Sequence, residues 1–79
     1  MKPKSARDAL FITFNWKTKY KDRTNLLSAR QISSIIWEEH DMVRFADDVE
    51  HLAIKVGMIL SSEKWTPKIG KKSPRYMMP

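Results

Sequence analysis

The chain has 79 residues, no cysteine and a net charge of +6, which sizes it for one small domain and excludes disulfide staples and thiolate metal centres such as a zinc ribbon. The charge is banded: residues 1–37 carry +6, residues 38–51 carry −5 with Arg44 as their one cation, and residues 52–79 carry +5. No run approaches the ~20 apolar residues of a membrane span, and the banding argues against a uniformly basic polyanion binder.

Prolines stand only at 3, 67, 74 and 79, so secondary structure is permitted from about Ser5 to Thr66. Lys2, Lys4 and Arg7 precede the apolar LFITF, but Thr13 and Asn15 interrupt the run and no small-residue cleavage site follows it. A signal peptide is therefore not expected, and a cytoplasmic location is. Ser5 with Asp8 three residues on predicts a helix N-terminus, and Leu10, Phe11 and Phe14 share a helical face. Leu10, Ile12, Phe14 and Trp16 also alternate as in a strand, and helix over about 5–19 is the preferred reading. As a helix it presents Ile12 and Trp16 as a second apolar patch, suited to a homodimer through this element. Lys17, Lys19, Lys21 and Arg23 follow in a polar stretch expected to be helix end and loop. These cations are available to phosphates, or serve only to keep the chain soluble.

The strongest local signal is Ser28 with Gln31, a capping box flanked by Leu27 and Ile32 as a hydrophobic staple. It opens a helix over about 28–39, with Ala29, Ile32, Ile35 and Ile36 on the buried face. Asp41 is expected to cap a further helix over about 42–56, in which Phe45, Ala46, Val49, Leu52, Ala53 and Val56 recur at spacings of three and four. Gly57 is the natural stop. Two short strands, about 58–65 and 75–78, then flank a loop shaped by Pro67, Gly70 and Pro74.

This order resembles the winged helix-turn-helix superfamily, over most of the chain. LLSARQISSII corresponds to the first helix of the motif, FADDVEHLAIKVGMIL to the second helix and the strand after it, and EKWTPKIGKKSPRYMM to the wing. Two departures stand out: Val49, Leu52 and Gly57 are spaced about one residue longer than usual, and EEHD supplies no glycine for the turn. The resemblance implies a mainly α fold with a small β-wing, a single three-helix winged helix-turn-helix domain over residues 1–79. It further implies a DNA-binding protein without catalysis, a transcriptional or recombination accessory regulator of the kind phages and plasmids encode. A helix would enter the major groove and a wing would reach the neighbouring backbone.

On that reading Arg44 is the candidate for bidentate base contact. Lys68, Lys71, Lys72 and Arg75 are the phosphate contacts of the wing, supported by Arg30 in the first turn of its helix and by Lys19 and Lys21. The outward positions of the third helix are expected to be Arg44, Asp47, Asp48, His51 and Lys55, a set whose carboxylates would be repelled by phosphate. The acids therefore support a second reading, a protein-binding inhibitor or adaptor that docks Glu38, Glu39, Asp47, Asp48 and Glu50 on a basic host protein. Self-association of acidic and basic bands is a third.

No cofactor, metal site or catalytic constellation is expected. His40 and His51 lie eleven apart on different elements, the serines lack an activating context, and there is no phosphate-cradling glycine loop. Trp37, Trp65 and Tyr76 are expected in or beside the core rather than as base-stacking platforms.

Overall fold

A computed structural model describes residues 2–15, 20–62 and 68–79. Three helices, α1 (Ala6–Phe14), α2 (Ala29–Glu39) and α3 (Val49–Ser62), pack with a three-stranded sheet of β1 (Asn25–Ser28), β2 (Lys68–Ile69) and β3 (Arg75–Met78), giving a mainly helical domain with a small β-wing. Among the described residues no helix is long and apolar enough to cross a membrane.

Helix α1 starts where its cap predicts. Ser5 Oγ accepts from the Asp8 amide at 3.1 Å, and the Asp8 carboxylate reaches back to the Lys4 amide at 2.9 Å. The helix ends at Phe14, short of the expected residue 19, because Asn15 takes the left-handed conformation (φ 45°) while its amide bonds to Phe11 O at 3.0 Å. Asparagine is among the few non-glycine residues that enter this region readily, so it serves as the terminator. Trp16 and Lys19, with the rest of residues 16–19, lie outside the described residues, as do residues 63–67 with Trp65.

Strand β1 replaces the expected loop before α2. Its four residues pair antiparallel with β3, Asn25 opposite Met78 through Ser28 opposite Arg75. Ser28 then closes the strand and caps α2: its hydroxyl accepts from the Gln31 amide at 3.2 Å, and its own amide donates to Gln31 Oε1 at 2.9 Å. Helix α2 buries Ile32, Ser33 and Ile36, with the Ser33 hydroxyl donating to Ala29 O at 2.7 Å.

The third helix begins seven residues later than the apolar spacing predicts. Residues 42–46 form an isolated turn in which Met42 O accepts from the amides of Phe45 (2.9 Å) and Ala46 (3.1 Å), and Met42 and Ala46 are buried. Asp41 is thus not a helix cap; its carboxylate accepts from Val43 N, two residues on, at 3.3 Å. The cap is Asp48, whose Oδ1 accepts from His51 N at 2.8 Å and whose carbonyl accepts from Leu52 N at 3.0 Å.

Gly57 does not end α3 either. The helix runs on to Ser62, so Met58–Ser62 are helical rather than the start of a strand, and the outer wing strand is only Lys68–Ile69. Gly57 instead lies where α3 crosses α2, and a Cβ built there would meet Ala29 Cβ at 3.9 Å, an ordinary contact.

The core gathers side chains from all three helices, the interhelical turn and β3: Leu10, Ile32, Ile36, Met42, Leu52, Val56, Leu60 and Met78 are all 0–1 % exposed. Trp37 packs against this cluster and Tyr76 is buried in it, as expected from sequence. The sheet order is β1-β3-β2, both pairs antiparallel, and Gly70 makes the wing turn at a positive φ of 93°.

Because Gly57 is mid-helix with room for a methyl group, Gly57→Ala should raise stability by about 0.5–1 kcal/mol in a denaturant titration, through the higher helix propensity of alanine. A left-handed terminator at that position would give the opposite sign.

Candidate nucleic-acid interface

Helix α3 buries Leu52, Val56 and Leu60, and its opposite side leaves Glu50, Ile54, Met58 and Ser61 exposed, one residue per turn. Ile54 is 65 % exposed and Met58 70 %. This phase differs from the expected outward set. His51 and Lys55 are half-buried: His51 Nδ1 accepts from the Asp47 amide at 3.2 Å, and the Lys55 ammonium donates to the carbonyl of Phe45.

The wing lies beside this stripe. One open hollow, about 620 Å³, is bounded by Ser28 of β1, by Ala29 and Arg30 of α2, by Glu50, Ala53 and Ile54 of α3, and by Ser73–Arg75 of the wing. A second, about 600 Å³, continues along α3 past Gly57, Met58 and Ser61 to Tyr76, sharing Ala53 and Ile54 with the first. The two adjoin along the outer side of α3, the second shallower than the first. Lys68, Lys71, Lys72 and Arg75 are all exposed, and Arg75 Nη1 lies 3.5 Å from Leu26 O across the sheet.

Arg30 belongs to the same surface. Its Nε donates to Glu50 Oε1 at 2.6 Å and its Nη1 to Ser34 Oγ, so one guanidinium ties the first turn of α2 to the first turn of α3. Both partners are more than half exposed, so the pair contributes about 0–1 kcal/mol to stability. Its electrostatic effect matters more, because it neutralises the acid at the head of the α3 stripe.

Other expected contacts lie elsewhere. Arg44 is not on α3: it stands in the turn of residues 43–45, its guanidinium 5.8 Å from the Phe45 ring centroid, and lines a separate hollow of about 220 Å³ with Lys2, Pro3, Glu39, His40 and Asp41. Lys21 is exposed on a 3₁₀ turn, Tyr20–Asp22, while Lys19 lies outside the described residues. Arg23, grouped from sequence with these cations, is only 3 % exposed; burial lowers its pKa below the usual arginine range and withholds it from phosphate.

The acidic band is mostly accounted for by local structure. Asp48 caps α3 and Glu50 is held by Arg30. Asp47, 96 % exposed, has its carboxylate 3.7 Å from His51 Nδ1. Glu38 and Glu39 are exposed at the end of α2, away from the start of α3 in sequence, and Glu39 lines the Arg44 hollow. Among the described residues no group of three or more His, Cys, Asp or Glu side chains is placed to hold a metal ion, and His40 is hydrogen-bonded through Nε2 to Thr13 Oγ1 at 2.9 Å.

Sequence reasoning missed Ile54 and Met58, exposed apolar side chains of this surface. Ile54 and Met58 are four residues apart and out of phase with Leu52, Val56 and Leu60, a signal hidden by reading Met58 as strand. Comparison with family models, with curated proteins and with solved structures finds no match to this chain.

If Asp48 serves chiefly as a cap, Asp48→Ala should cost about 1 kcal/mol in a denaturant titration, whereas Asp48→Asn, which keeps an acceptor oxygen, should stay within a few tenths of the parent.

Proposed function

We propose that this chain is a non-enzymatic duplex-DNA-binding protein of regulatory type, consistent with its resemblance to the winged helix-turn-helix superfamily. The outer stripe of α3 faces the major groove, and the wing cations engage phosphates beside it. One observation carries the reading: the α3 stripe, the N-terminus of α2 with Arg30, and the wing with Arg75 border a single concave surface. Arg75 lines that surface, the exposed Lys68, Lys71 and Lys72 belong to the same wing, and Glu50, which also lines it, is paired with Arg30. Arg44, in its own hollow, is no part of this proposal.

The alternative, an acidic face docked on a basic protein, is less well supported. Asp48 and Glu50 are engaged within the molecule, and Glu38 and Glu39 sit on a different helix from Glu50.

Phosphate contacts release counterions, so four wing contacts give a slope of log affinity against log salt of about −3.6. In fluorescence anisotropy with a random duplex, Lys71→Ala combined with Lys72→Ala should weaken binding at every sequence tried and flatten that slope by about 1.8. A doubly substituted protein of unchanged circular dichroism that keeps both affinity and slope would refute the assignment of the wing.

A further inference from the structure

We infer that α3 recognises the C5-methyl groups of thymine, so that the duplex it selects is rich in A·T pairs where the helix meets it; this rests on the DNA-binding reading above. The inference comes from what the exposed side of α3 can and cannot offer to base edges. Guanine is read in the major groove by arginine or lysine, adenine by asparagine or glutamine, and the only apolar group there is the thymine methyl. Helix α3, VEHLAIKVGMILSS, contains no Arg, Asn or Gln.

Its polar side chains are largely engaged within the molecule. The Lys55 ammonium is taken by Phe45 O, the Glu50 carboxylate by Arg30, His51 Nδ1 by the Asp47 amide, and the Ser62 hydroxyl by Ile59 O at 2.7 Å. Beside Glu50 and Ser61, α3 presents outward Ile54 and Met58, at 65 and 70 % exposure; Ile54 lies in the hollow that Arg75 of the wing also lines, and Met58 in the adjoining one. Exposed apolar side chains grouped in a hollow suit a binding surface, and Arg75 on its edge, with the exposed lysines of the same wing, favours a polyanionic occupant. Four residues along a helix rise about 6 Å, and neighbouring bases of one strand are about 3.4 Å apart. The two side chains thus meet methyl groups within about two base steps.

The test uses the full-length protein and two duplexes of one A·T-rich sequence, one with thymine and one with deoxyuridine at every such position. Pairing and phosphate charge are the same in both, and only the methyl groups differ. Anisotropy at one salt concentration should show the thymine duplex bound about 15-fold more tightly, from about 4-fold for each of the two methyls buried. Ile54→Ala combined with Met58→Ala, at exposed positions that leave the core intact, should bind both duplexes equally, near the affinity of the parent for the deoxyuridine form.

Salt-dependent binding of the parent with equal affinity for the two duplexes overturns the inference and leaves the DNA-binding reading standing. A thymine preference that survives in the double variant also overturns it, since the preference would then come from duplex shape. Absence of duplex binding at low salt overturns both.

Discussion

The placement of the wing depends on one residue, Ser28. It is the last rung of β1, opposite Arg75, and its hydroxyl and amide form the capping box of α2 with Gln31. Strand and helix therefore meet without a linker, and the sheet cannot pivot on α2 without breaking either a ladder pair or the cap. Since α2 packs on α3 through Ile32, Ile36, Leu52 and Val56, that joint also sets where the wing stands relative to the exposed side of α3. A surface built on a junction of regular elements is held more tightly than one built on loops.

The acidic band in a basic protein has a mainly structural origin. A helix N-terminus leaves amides without intrahelical partners and carries a partial positive charge, so carboxylates are favourable there. With α3 starting at Val49, Asp48 is in position to satisfy one of those amides and Glu50 lies in the first turn. Arg30 then offsets the remaining charge on the side that faces the wing. The bands visible along the sequence are thus partly cancelled once the chain is folded.

What could be read in the sequence was what is local. The caps at Ser5 and Ser28 depend on residues three apart and were legible, as were the span of α2 and the burial of Tyr76. The start of α3 was not, because Phe45 and Ala46 continue the apolar spacing of the helix although their amides close only a single turn on Met42. Strand β1 was hidden for a different reason: it has four residues, is half exposed, and owes its existence to pairing with β3 about fifty positions away. Gly57 misled because glycine ends helices more often than it lines a helix crossing, and only the approach of Ala29 distinguishes the two. These errors displaced the candidate site, moving Arg44 off the helix and concealing Ile54 and Met58.

The strand order has a consequence for solubility. With β3 in the middle, the unpaired hydrogen-bonding rows of the sheet belong to its outer members, and such rows are templates on which further chains can add. Among the described residues one outer member offers four residues and the other two, the latter opening with a lysine, both shorter than the segments of about six residues that stack into fibrils.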